Sequence, residues 1–273
     1  MKERVFTFGT DDILMGVLTE PASGARLGTP AIVVSNVGLN PRVGPNRCWV
    51  ELARTLAGLG FSTLRFDLNG LGDSHPRRDA TNDLDRACAD HTEALDFLQK
   101  KRGFTRFVLV SMCSGVDPAH RLSRDDPRVV GSVFLDGYAY ETPRSKLYRY
   151  VGRNLSLAGT RRAILRRLPR VGGLEVGEAE EIYTREYPEP ALLASELEAM
   201  LARQVKLLFI YSGGVWLYFN YAQQFFEMLR PAKFEGRVEV ELRRSADHTY
   251  MLPTERKWMV DRVSAWVAQQ FGS

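Results

Sequence analysis

Eight short apolar runs rich in β-branched residues punctuate the chain, and most are separated by segments with helical spacing. This alternation constrains the fold more than any other feature. The runs are RVFTF near residue 4, ILMGVL from 13, AIVVS from 31, FSTLRF from 61, FVLV from 107, VVGSVFL from 129, KLLFIY from 206 and VEVEL from 238. RCWVELARTLAGLG (47–60), TNDLDRACADHTEALDFLQKK (81–101), the segment after Cys113, FNYAQQFFEMLR (219–230) and TERKWMVDRVSAWVAQQF (254–271) carry apolar residues three and four apart. Nearly continuous apolar strands alternating with helices predict an α/β protein whose mostly parallel central sheet is covered on both faces. The first two runs have no helix between them and predict an antiparallel hairpin at the sheet edge. Thr81 or Asn82 before an acidic first turn, and Gly60 after Leu59, mark helix boundaries.

A chain of 273 residues, 44% apolar, suits one α/β domain with an insertion better than two equal domains. Residues 138–204 break the alternation: TRRAILRRL and ALLASELEAML have helical spacing, and no strand run appears. The expected organisation is a core of residues 1–137 and 205–273 with a helical cap at 138–204. MKERVFTFGTDD lacks the apolar stretch of a secretion signal, and no run approaches the roughly 18 apolar residues of a membrane span, so a cytoplasmic protein is expected. Cys48, Cys88 and Cys113 are too scattered for a disulfide framework or a zinc site.

The decisive motif is RFVLVSMCSGVDPAHRL, an apolar strand followed by Ser111-Met112-Cys113-Ser114-Gly115 and a helical segment. A nucleophile carried on so sharp a strand-to-helix turn needs small residues two before and two after it. Ser111 and Gly115 meet that need around Cys113, whereas Ser114 as nucleophile would place Met112 and Val116 there. The motif resembles the G-x-S-x-G elbow of α/β-hydrolases with cysteine as nucleophile; the alternative is a structural thiol at a strand end. FDLNGLGDS (66–74) is similar to the D-x-x-G-x-G-x-S loop that follows an earlier core strand in that superfamily. The resemblance spans nearly the whole chain apart from the cap and implies an α/β-hydrolase fold.

It also implies partners for Cys113. His248, in RRSADHTYML after the last strand run, stands where the superfamily keeps its general base, while His91 and His120 fall in helical patterns. The acid usually follows the strand written here as KLLFIY, but its continuation SGGVWLYFN contains no carboxylate. A second location in the superfamily is the end of the preceding strand, where VFLDGY offers Asp136. Asp136 is the expected acid, a turn cap with Gly137 is its alternative, and a Cys-His pair without an acid is a third arrangement. The resemblance places the oxyanion hole at the backbone N–H groups of Ser114 and Val37. The loop SNVGLNPRVGPNR is similar to that of hydrolases associated with bacterial exosortase systems, whose elbows also carry a cysteine followed by Ser-Gly. Asn36 and Arg42 of that loop, with Tyr138 and Trp216 near the expected cap mouth, are the substrate-binding candidates; solvated arginines and aromatic packing are the alternatives.

A cysteine elbow attacks an activated acyl carbon, forms a thioester and passes the acyl group on. The expected activity is a cysteine-dependent acyl hydrolase or acyltransferase acting on a thioester or activated ester, as the cysteine elbows of dienelactone hydrolases and polyhydroxyalkanoate synthases suggest. A lactone or carboxylic-ester hydrolase and a non-catalytic scaffold are the competing readings. Net charge is +4, yet Arg144 to Arg170 holds nine basic residues and no acidic one, which leaves the remainder at about −5. That block is expected either to meet coenzyme A phosphates or an acidic acyl carrier protein, or to be a solvated helix face. Nucleic acid and membrane partners are not expected, and neither is a metal or redox cofactor, because recognition modules, ligand clusters and a G-x-G-x-x-G fingerprint are all absent.

Overall fold

Each of the eight apolar runs becomes a strand of one sheet. The computed structural model describes residues 1–24, 28–78, 82–155, 187–234 and 236–272, with backbone alone for 151–155. The strands are β1 (Lys2–Phe8), β2 (Leu14–Glu20), β3 (Ala31–Val34), β4 (Thr63–Phe66), β5 (Phe107–Met112), β6 (Val129–Leu135), β7 (Lys206–Ser212) and β8 (Val238–Arg243), ordered β1-β2-β4-β3-β5-β6-β7-β8. β1 and β2 form the expected antiparallel edge hairpin, β2 runs antiparallel to β4, and all later pairings are parallel.

Helices α1 (Cys48–Gly58), α2 (Asp83–Arg102), α3 (Val116–Asp125), α4 (Pro143–Leu155), α5 (Pro190–Ala202), α6 (Gln224–Met228) and α7 (Pro253–Phe271) complete the described residues. The two-residue alternation of strand side chains divides the core between the two sheet faces. Val108 and Val110 pack with Leu52 and Leu56 of α1 and Val263 and Val267 of α7. Phe107 and Leu109 pack with Leu95 and Leu98 of α2, Ala119 and Leu122 of α3, and Leu193, Leu197 and Met200 of α5. Asn82 starts α2 by accepting the Asp85 N–H at 2.8 Å, and Gly103, at φ +75°, ends it.

Two expectations change. α5 belongs to the sheet-covering layer, because Leu193, Leu197, Met200 and Leu201 are buried in the main core; the last part of the expected cap is therefore core. α4 follows β6, and residues 156–186 of the expected cap lie outside the described residues. The helix expected over 219–230 shrinks to Gln224–Met228. The buried Gln224 side chain is the reason: it accepts the Asn220 N–H at 2.9 Å and donates to the carbonyls of Tyr218 and Tyr140, holding the preceding backbone out of a helix.

Candidate active site

Strand register sets the site. Met112 pairs with Leu135 and Leu135 with Ile210, so Cys113 and Asp136 leave adjacent strands at one level, with Ser212 at the end of the next. Cys113 turns the chain from β5 into α3 at φ +53°, the left-handed region that non-glycine residues enter at a cost of about 1–3 kcal/mol. Gly115 permits the turn, since a Cβ there would stand 2.9 Å from the Asn36 carbonyl oxygen. Ser111, in place of the usual glycine, is accommodated by its hydroxyl, which donates to the Val133 carbonyl at 3.3 Å.

Asp136 is also left-handed, at φ +48°, and its side chain is fully buried. Its Oδ2 lies 2.7 Å from His248 Nδ1, although the two residues are 112 apart in sequence. An ionised carboxylate only accepts, so Nδ1 carries the proton and Nε2 is left for Cys113, to which the His248 ring is also hydrogen-bonded. The imidazole is pushed up to about 10, first by the hydrogen bond to Asp136 and then by the bond to Cys113, against burial, which acts the other way. Cys113, His248 and Asp136 thus form one hydrogen-bonded line. The two other thiols have no such surroundings: burial pushes Cys48 up to about 12 and Cys88 up to about 11.

Asp247, next to the histidine, turns away and accepts from Thr249 N, Thr249 Oγ1 and Met251 N. His91 is buried with Nδ1 against the Ala87 carbonyl, and His120 is buried against Glu196 at 2.7 Å, so both are packing residues.

Asn36 and Arg42 have a different place from the expected one. Asn36 is buried; its Oδ1 accepts the Leu68 N–H at 2.5 Å, and its Nδ2 donates to the Asn40 carbonyl and to Asp67. The Arg42 guanidinium is paired with Asp67 and, at 2.6 Å, with Asp73. Together they stitch the loop after β3 to the loop after β4, and their polar groups are spent on the protein. Tyr138 is buried, with its carbonyl accepting from Tyr211 Oη at 2.7 Å and its ring edge-on to His120 and Tyr187. Trp216 is 52% exposed and begins an exposed Trp216-Leu217-Tyr218 ridge just beyond the turn that touches His248.

The two expected oxyanion donors are placed unequally. Ser114 follows Cys113 in the 3-10 turn Cys113–Gly115 that leads into α3, whereas the Val37 N–H is turned into its own loop, toward the Asn40 carbonyl at 3.4 Å. The Gly38 N–H reaches Ser114 Oγ at 3.0 Å and ties that loop to the elbow. Ser212, which no sequence motif marks, binds Asp136 through both its amide and its hydroxyl. The missing carboxylate after KLLFIY was its only signal. Of the basic block, Arg144 pairs with Glu227 and lies over Tyr221, and Arg149 pairs with Glu141. Arg161, Arg162, Arg166, Arg167 and Arg170 lie outside the described residues.

The architecture recurs in solved structures at low identity. An esterase of Pyrococcus furiosus matches with a TM-score of 0.61 and 13% identity, over 99% of this chain and 90% of that one. The esterase domain of a Rhodothermus marinus protein matches with 0.60 and 17% over the whole of both chains. A Xanthomonas campestris protein described as an α/β serine hydrolase without lid matches with 0.60 and 10%, over 100% and 97%. The chain therefore has the α/β-hydrolase fold. No family model matches the sequence, and no curated protein does. No helix among the described residues is long and apolar enough to cross a membrane.

Proposed function

We propose that the protein is a cysteine-dependent acyl hydrolase or acyltransferase that works through an acyl-enzyme on a thioester or activated ester. The observation that carries this reading is the Cys113-His248-Asp136 line at a left-handed elbow. The bonds of His248 to Asp136 and Cys113 favour the imidazolium, and an imidazolium beside the thiol supports attack by Cys113 as a thiolate. Cys113 Sγ attacks the acyl carbon, and the carbonyl oxygen becomes an oxyanion facing the Ser114 N–H and the positive end of α3. Val37 joins as a donor only by exchanging its long bond to Asn40. Collapse expels the leaving thiolate or alkoxide, which takes the proton from His248 Nε2, and leaves an acyl thioester on Cys113. Neutral His248 then removes a proton from water or an acceptor as that nucleophile attacks, and the thiolate returns. Asp136 keeps the Nδ1 proton throughout and stabilises the imidazolium.

Thioesters lead as substrates because exchange of one thioester for another is nearly balanced. The basic block, with its unpaired-sign composition from 161 to 170, extends the proposal to coenzyme A or carrier-protein thioesters. Reversing Arg161, Arg162, Arg166 and Arg167 should then weaken carrier-protein binding. The esterase descriptions of the structural neighbours favour a second reading, a carboxylic-ester or lactone hydrolase without a carrier. An acid in contact with His248 weighs against a non-catalytic scaffold.

Intact-protein mass spectrometry after mixing wild-type and Cys113→Ala protein with a panel of acyl-N-acetylcysteamines and p-nitrophenyl esters tests this. Expected is an adduct of acyl mass on wild type alone, faster from the thioesters. An adduct that persists in Cys113→Ala, or none from either class, would overturn the proposal.

A further inference from the structure

We propose that the Ser212-Gly213-Gly214 tripeptide at the end of β7 is a positioning clamp for both ends of the His248-Asp136 bond, with the Ser212 hydroxyl fixing how the carboxylate meets the imidazole. The inference deepens the catalytic reading above and rests on it. Ser212 is completely buried. Its N–H donates to Asp136 Oδ1 at 2.6 Å and its hydroxyl lies 2.7 Å from Oδ2, the same oxygen that faces His248 Nδ1. The hydroxyl also accepts the Gly214 N–H at 3.1 Å, which aims its own proton at the carboxylate. Both carboxylate oxygens are therefore held by one residue, and rotation of the carboxylate breaks at least one of those bonds.

The next two residues grip the base. The Gly213 N–H donates to the Ala246 carbonyl at 2.8 Å, two residues before His248. A Cβ on Gly214 would lie 2.5 Å from the His248 nitrogen and 2.8 Å from its Cβ, so the histidine backbone rides directly on the glycine. β7 contributes no titratable side chain here, yet its last residue aims the acid and the two that follow set the height of the base. A buried serine that merely satisfies a strand end would influence stability and leave the reactivity of Cys113 unchanged.

The test is alkylation of Cys113 by iodoacetamide between pH 5 and 9 in the full chain, a readout that needs no knowledge of the substrate. Wild type, Ser212→Ala, Ser212→Thr and Gly214→Ala are compared with His248→Ala, peptide mass spectrometry resolves Cys113 from Cys48 and Cys88, and melting curves report folding. Wild type should react faster than His248→Ala at pH 6. Ser212→Ala should lower the pH 6 rate about tenfold, the scale of one lost hydrogen bond to a charged group, and Ser212→Thr should recover most of it. Gly214→Ala should fall to the His248→Ala rate. A Ser212→Ala protein that melts lower but keeps the wild-type pH profile would overturn the clamp and leave the catalytic reading standing. Identical profiles for wild type and His248→Ala would overturn the ion pair, and the clamp with it.

Discussion

Asp67, just past β4, and Asp136, just past β6, are the same residue type near the same edge of one sheet, both with fully buried side chains. Their surroundings differ in one respect that decides their use. Asp67 is met by the Arg42 guanidinium, by the N–H groups of Arg42 and Asp73, and by the Asn36 amide. None of those donors gives up its proton at ordinary pH. Asp136 is met by Ser212 and by His248, an imidazole that can release and regain a proton where a guanidinium or an amide cannot. A buried carboxylate neutralised by a fixed charge joins two loops; one neutralised by a titratable ring is equipped for proton transfer.

The largest expected effect separates the two aspartates by activity. Asp136→Asn places an amide where Nδ1 meets an acceptor, so the ring should flip to the tautomer with its proton on Nε2, and the base for Cys113 is lost. Acyl turnover should fall about a hundredfold or more with little loss of folding. Asp67→Asn should do the reverse: removing the charge leaves Arg42 with Asp73 alone, and unfolding free energy should drop by about 3 kcal/mol in urea titrations. Equal activity losses in the two variants, at equal stability, would erase the distinction.

The pH dependence of stability sharpens it further. The folded His248 imidazolium, pushed up to about 10 from an ordinary 6.5, is favoured by folding. A raised histidine contributes stability that is complete below its unfolded value and disappears as pH rises through its folded one. The stability gap between wild type and Asp136→Asn should therefore be widest near pH 6 and close between about 6.5 and 10. The gap between wild type and Asp67→Asn should stay flat over that range, because Arg42 does not titrate there. Denaturant titrations at pH 6, 8 and 10 measure both gaps, and parallel behaviour would count against His248 as the partner that matters.

The distinction was only half legible in the sequence. Cys113, His248 and Asp136 could be placed because each follows a strand run, and parallel strands deliver their ends to one edge. The fold and the edge hairpin followed from the same runs. The sequence points Asn36 and Arg42 toward substrate because their partner, Asp67, lies 31 and 25 residues away across a strand pairing that spacing does not reveal. Tyr138 misled for a similar reason: its place in the core is set by His120 and Tyr211, on other elements. Ser212 was invisible as anything but an absent acid, since its role depends on β6 and β7 lying side by side.

The smallest expected effect concerns what stands outside the two carboxylates. Asp67 is sealed beneath Arg42, while His248 keeps 37% of its side chain exposed and the neighbouring turn carries Trp216 into solvent. Trp216→Ala removes a half-exposed ring and keeps the backbone N–H and carbonyl that bond to Gly213 and Asn220, so stability should move by no more than about 0.5 kcal/mol. If the ridge borders the acyl group, the loss falls on binding shared by ground and transition states: KM for a long-chain acyl thioester should rise a few-fold with kcat unchanged. An acetyl thioester, too short to reach the ring, should show no change. A matched fall in kcat for both substrates would instead mean that the ridge supports the Ser212-Gly213-Gly214 turn, and would move Trp216 from the substrate side of the site to its scaffold.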